Sequence, residues 1–225
     1  MPLKSPAMSL RNAYLLIFLI LIADQLSKIY IKTNFILGES VHVFDWFKIY
    51  FIENEGMAWG TEIPGEYGKL VLTLFRICAV VGIGYWLWDS VRRNASRYLI
   101  VAIALILAGA LGNIIDSVFY GIVFSDSHGE LAALFAEQPY GTIFHGKVVD
   151  MLYFPIIEDY PMPDWVPFIG GRPFTFFNAI FNIADVAIST GVGILIVFNK
   201  KAFEKPEERE YIGLDDQEQL QETKE

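Results

Sequence analysis

Hydrophobic and polar positions run along this chain in blocks. Four blocks are long and apolar: Ala13 to Ile31, Leu70 to Trp88, Tyr98 to Tyr120 and Phe176 to Phe198. A hydrocarbon layer about 30 Å thick is crossed by roughly 20 mostly apolar residues rising about 1.5 Å each, so each block is long enough for a membrane-spanning helix. The purely apolar part of the first block is short, as in a cleavable signal peptide. It has no small-residue cleavage site, however, and runs on into DQLSK, so it is read as a span. The predicted fold is an all-α membrane protein of four transmembrane helices, with a small β-containing element between spans one and two. That element rests on VHVFDWFKIYFIE, where alternation and aromatic or β-branched residues predict strands.

Composition agrees with the blocks. Of 225 residues 54% are apolar, and the mean hydropathy is +0.40. The net charge of -9 changes the picture only at the C-terminus, where Glu204 to Glu225 holds nine acids and three bases. Residues 204–225 are therefore expected to be a solvated, disordered tail on a membrane domain of residues 1–203. The single cysteine, Cys78, lies in an apolar run and has no internal partner for a disulfide.

Basic residues give a direction. Lys4 and Arg11 precede span one, Arg92, Arg93 and Arg97 fill the link between spans two and three, and Lys200, Lys201 and Lys205 follow span four. By the positive-inside rule both termini are cytoplasmic, and the connections at residues 32–69 and 121–175 face outward. The second connection carries a helix candidate at Glu130 to Glu137. Its section DYPMPDWVPFIGGRPF has too many prolines for regular structure, and its aromatics suit the headgroup zone.

With that direction, the unusual polar groups gather at one side. DQLSK and GNIID end their spans there, FNIAD begins span four there, and ENEGMAWG and GKVVDM belong to the outer connections. A charged side chain at the centre of a span costs about 2.5 to 3.5 kcal/mol on insertion scales, so this gathering asks for a reason. Asp24 and Lys28, one helical turn apart, are expected to form a local ion pair, and Ser27 with Lys28 points the wrong way for a nucleophilic dyad. Arg76 either snorkels outward or, as favoured here, pairs with an acid. Asn54 and Gly56 suit a turn or a backbone-holding site for an extended peptide. Gly109 and Gly112 allow close helix approach, and Asn113 an interhelical hydrogen bond. Asp116, Asp150 and Asp185 remain. Two carboxylates sharing a site hold one proton between them and offer both a base and an acid. The residues alone leave a catalytic pair, polar glue and an ion pathway all open.

Other chemistries are excluded by what is missing. The chain has no HExxH, no GxSxG and no phosphate-binding glycine loop; His42, His128 and His145 are scattered. Nucleic-acid binding lacks a basic patch.

DQLSK, NEGMAWG, GALGNIID, GKVVDM and FNIAD, in this order on these spans, resemble the lipoprotein signal peptidases, the signal peptidase II family of bacterial membrane aspartyl proteases. The resemblance covers Asp24 to about Thr190. It implies Asp150 and Asp185 as the catalytic pair, with Asp24, Lys28, Asn54, Gly56, Gly109, Asn113, Asp116, Asn182 and Ala184 as supports or substrate contacts. It further implies a membrane endopeptidase without metal or cofactor, sited in the cytoplasmic membrane with its active site outward. Its partners would be lipid-modified prolipoprotein signal peptides, cut on the amino side of the lipidated cysteine, and membrane lipid. A non-enzymatic lipopeptide binder or a small ion or proton pathway is the alternative. Three departures stand out: Ser117 replaces the family's usual Arg, the interval from Asp116 to Asp150 implies an inserted element around Phe124 to Gly146, and the interval from Asp150 to Asp185 is also extended.

Overall fold

The computed structural model describes residues 8–55 and 68–204; Gly56 and the acidic tail beyond Glu204 lie outside the described residues. Helix α1, Leu10–Asn34, starts where the Ser9 hydroxyl accepts from the Asn12 backbone N–H at 3.2 Å. It turns its polar residues inward. Asp24, Lys28 and Lys32 are buried with Ala13, Ile17 and Ile31, while Leu15, Phe18, Leu19, Ile22 and Leu26 are exposed. A helix that buries its charges and exposes its leucines is built for an apolar surrounding.

Helix α2, Gly68–Arg92, is peripheral, and α3, Arg97–Ile115, is central and buries most of one face. Ser96 caps α3 through the Leu99 N–H and donates its own hydroxyl to Ala202 O at 2.8 Å. Past Ile115 the chain keeps winding through a π-helical turn, Asp116–Tyr120, and the short α4, Gly121–Val123. The stretches Leu10–Asn34, Gly68–Arg92 and Arg97–Val123 are long and apolar enough to cross a membrane.

The fourth apolar helix, α5, is shorter than the sequence predicts. It spans Ile183–Val197, 15 residues instead of the expected block from Phe176, and the short α6, Asn199–Ala202, follows. Two features move its start. Ile180 and Phe181 are recruited as a strand opposite Leu152 and Tyr153, and Asn182 then caps the helix.

The strands predicted in the first connection are present as β1, Ser40–Phe44, and β2, Phe47–Asn54. The sheet is larger than expected, because β3, Val148–Tyr153, pairs antiparallel with β2, and β6, Ile180–Phe181, completes the order β1-β2-β3-β6. The proline-rich section is also more regular than its composition predicts. Its flanks form a hairpin of β4, Ile157–Pro161, and β5, Pro173–Phe176, with the prolines at strand ends and in the connection. The expected helix at Glu130 to Glu137 does not form. Ser125 N–H donates to Ala133 O and Ala136 N–H to Val123 O, so this segment lies alongside the chain leaving α4, and Phe135 takes a positive φ that breaks any helix.

Two apolar clusters bracket a polar layer. One gathers Ile17, Leu87, Ile103 and Leu107; the other gathers Ile31, Phe51, Tyr120, Phe124, Val149 and Met151. Along α1 the layer falls between Ile17 and Ile31, and along α3 between Ala108 and Tyr120. The site is there.

Candidate active site

Lys28 is the hub of the layer. Its three N–H groups are all used, on Asp24 Oδ2 at 2.9 Å, Asp116 Oδ2 at 2.8 Å and Asn113 Oδ1 at 2.9 Å. The expected Asp24–Lys28 ion pair is thus present, and it reaches across to α3. Lys28, Asp24 and Asp116 are each 0% exposed. Neutral donors complete the two carboxylates: Ala184 N–H reaches Asp24 Oδ1 at 2.9 Å, and Gln25 Nε2 reaches Asp24 Oδ2 at 3.0 Å and Asp116 Oδ1 at 2.9 Å. Val149 N–H adds a 3.3 Å bond to Asp116 Oδ2, and the Tyr120 hydroxyl holds Gln25 Oε1 at 3.1 Å. Ser27 donates to the Asp24 backbone carbonyl and takes no part.

An ammonium only donates, so Lys28 obliges Asn113 to present its carbonyl oxygen. The Asn113 amide nitrogen then faces the other way and donates to Asp185 Oδ1 at 2.9 Å. Asp185 stands at the third residue of α5 and closes a capping box: its N–H donates to Asn182 Oδ1 at 2.9 Å, and its Oδ2 accepts from Asn182 N–H at 3.3 Å. Asn182, wholly buried, sends its side-chain amide to Asp150 Oδ1 at 2.7 Å, as well as to Asn113 Oδ1 at 3.1 Å and Val149 O at 3.3 Å. Asn54 donates to Asp150 Oδ2 from β2, where it lies two residues beyond Ile52, the residue opposite Asp150.

Asp150 and Asp185 therefore meet on one residue, Asn182, through its side chain and its backbone. Their surroundings differ. Asp150 is 3% exposed on the strand β3, while Asp185 is half-buried at a helix N-terminus, where the helix dipole favours negative charge. Burial, and after it the charge of Asp185, pushes the Asp150 carboxyl up to about 8. Such an acid holds its proton at neutral pH.

Two glycines set the helix spacing. A Cβ on Gly109 would lie 2.1 Å from the Ala184 carbonyl oxygen, and one on Gly112 would lie 2.6 Å from Asp24 Oδ2. Ala184 presents its backbone N–H to Asp24 in the room they leave. Arg76, expected to pair with an acid, feels the charge of Asp185 but forms no ion pair among the described residues. Ser117 is buried, its hydroxyl on Asn113 O at 3.0 Å and its carbonyl accepting from Gly146 N–H at 2.9 Å, so the segment returning to β3 covers the position. Of the residues the motifs point to, only Gly56 lies outside the described residues.

Sequence reasoning passed over Gln25, Lys32, Glu53 and Ser127. Three carried a visible signal: Asp24, Gln25, Lys28 and Lys32 form a polar stripe at helical spacing on α1, and Glu53 alternates with the buried Phe51.

Comparisons with known proteins bear on the family and the fold. Residues 16–200 match the family described as Signal peptidase (SPase) II. A lipoprotein signal peptidase of Porphyromonas gingivalis is 50% identical over 184 residues, 81% of this chain and 80% of that protein. One of Amoebophilus asiaticus is 34% identical over 200 residues, 86% of this chain and 79% of that protein. A solved structure described as a bacterial membrane enzyme shares the fold, with a TM-score of 0.60 at 23% identity over 91% of this chain and 98% of that one. The chain belongs to the signal peptidase II family.

Proposed function

We propose that Asp150 and Asp185 are the catalytic pair with which this signal peptidase II removes the signal peptide from lipid-modified prolipoproteins. One observation carries the assignment: Asn182 holds Asp150 through its side-chain amide and Asp185 through its backbone N–H. In this reading Asp185 is the ionised member. It takes a proton from water, whose oxygen attacks the carbonyl carbon on the amino side of the diacylglyceryl cysteine. Asp150 gives its proton to the carbonyl oxygen; as the C–N bond breaks, the leaving amine of the cysteine takes a proton from Asp185 and Asp150 takes one back from the gem-diol hydroxyl, leaving a carboxylic acid on the signal peptide. Asn54 and Asn182 hold Asp150, and Asn113, oriented by Lys28, holds Asp185.

The same reading takes α5 as the fourth span, puts both termini in the cytoplasm and turns the polar layer toward the outer leaflet, as the distribution of Lys and Arg favours. A scissile bond at that depth stays within reach of water while its acyl chains remain in lipid. An ion pathway would need acids in the opposite half of the bundle too, where the described helices pack through Ile17, Leu87, Ile103 and Leu107.

The bland account of Asp185 is helix capping alone. Asp185→Asn keeps the shape and a capping oxygen but cannot accept a proton, and Asp150→Asn cannot donate one as a carboxylic acid does. Each variant is expected to lower cleavage of a synthetic diacylglyceryl prolipoprotein peptide by about 10²- to 10⁴-fold, with binding retained in detergent or lipid. Wild-type turnover in either variant would end the assignment.

A further inference from the structure

The segment joining α4 to β3 is fixed over the same end of the bundle by a buried cluster that the catalytic pair does not use. Lys32, wholly buried near the end of α1, pairs with Glu53 of β2 and donates to Ser127 Oγ at 2.7 Å. The rings of Phe51, Phe124 and Tyr140 surround its ammonium, which lies 4.7 Å from the Tyr140 ring centre. A cation so enclosed is held by its carboxylate and its rings together. Tyr140 is pinned on its far side as well, since its hydroxyl accepts from Lys147 N–H at 2.7 Å.

Beyond Tyr140 opens a cleft of about 440 Å³, lined also by Glu55, Lys69, Asp126, His128, His145 and Lys147. The sheet register fixes its distance from the catalytic pair. Asn54 stands opposite Val148, so the chain's next step on each side brings Glu55 and Lys147. Lys147 precedes Asp150 by three residues, about 10 Å of strand. An extended peptide held at Asp150 reaches the cleft at about its third residue.

The two lysines of the wall differ in what they face. Glu55 is paired with Lys69, and Asp126 with His128 at 2.7 Å. His145 has its Nδ1 within 2.9 Å of the Thr142 hydroxyl and 3.0 Å of Ile143 O. The ammonium of Lys147 has no carboxylate partner among the described residues. An apolar signal peptide laid here would strip water from the charged side chains, whereas a polar chain would not.

We propose that this cleft is the subsite for the first polar residues following the lipid-bearing cysteine, and that Lys147 selects acidic side chains there. The inference rests on the prolipoprotein reading given above. It makes the added segment a specificity element for the released protein's own N-terminus.

The test uses the full chain in lipid nanodiscs and three diacylglyceryl peptides that differ only two to four residues past the cysteine, carrying Asp, Ser or Lys. Wild-type kcat/KM is expected to favour Asp over Lys by about three- to fivefold, the size of a partly exposed ion pair. Lys147→Glu is expected to reverse that ratio and Lys147→Met to level it. Both peptides are cut by the same preparation, so a loss of folded enzyme cancels from the ratio. Equal use of Asp and Lys by the wild type, or a preference unmoved in Lys147→Glu, overturns the subsite while leaving the peptidase reading intact. Failure of the wild type to cut any of the three overturns both.

Discussion

Two pairs of aspartates lie within one polar layer, and they are treated in opposite ways. Asp24 and Asp116, themselves wholly buried, share the ammonium of Lys28 and accept from Ala184 N–H, Gln25 and Val149 N–H. Asp150 and Asp185 are given amides only: Asn54 and Asn182 on one, Asn113 and the Asn182 N–H on the other. An amide satisfies a lone pair without cancelling a charge. The first pair has a cation between its members and serves to hold helices together, while the second has only a proton with which to settle its charge. Lys28 links the two by turning Asn113 toward Asp185.

The sharpest way to break this contrast is to remove the shared cation. Lys28→Met leaves two buried carboxylates facing each other, and losing one partner of a buried ion pair costs about 3 to 5 kcal/mol. The unfolding midpoint in detergent should fall steeply. Asp24→Asn should cost less, because one acid and one ammonium remain. If Lys28→Met unfolds no more readily than Asp24→Asn, charge balance is not what holds the first pair.

A milder test reads the second pair through pH. Asp150 must be protonated to act as the acid, and its carboxyl is pushed up to about 8, so kcat/KM should decline on the alkaline side, about tenfold per unit beyond pH 8. Stability follows with a definite sign. The folded value lies above the ordinary carboxylate value of about 4, so the folded state binds this proton more tightly. That contribution is complete below about pH 4 and is lost as pH rises through about 8. An unfolding midpoint and a rate both flat from pH 5 to 9 would contradict a buried, proton-holding Asp150.

What the sequence made legible follows the range of the interaction. The helical blocks and the Asp24–Lys28 pair depend on residues one turn apart or on simple length, and both are visible in a string of letters. The start of α5 was hidden because it is decided by β3: nothing near Ile180 announces that Leu152 will pair across from Phe181. FNIAD did carry a local signal for it, since Asn182 and Asp185 have the spacing of a capping box. Asp116, Asp150 and Asp185 could not be sorted from the residues alone. What sets Asp116 apart is an ammonium at 2.8 Å, supplied by a helix some ninety positions earlier. The failed helix at Glu130 to Glu137 is similar, its backbone donors being claimed by Val123 and Ser125 instead of by its own turns.

Glu53 supplies the smallest and most discriminating case, a buried acid with one cation to itself. Its partner Lys32 also holds Ser127, whose hydroxyl lies 3.2 Å from Glu53 Oε1. Because the charges already match one to one, Ser127 adds hydrogen bonds to both ions but no charge to a settled pair. Ser127→Ala should therefore cost about 1.5 kcal/mol, a shift of a few degrees in the unfolding midpoint measured in detergent. Glu53→Gln should cost several times more, since it strands Lys32 among three aromatic rings without a carboxylate. Equal losses in the two variants would mean that these clusters are held by their packing, and that counting charge against charge does not separate the structural acids from the chemical ones.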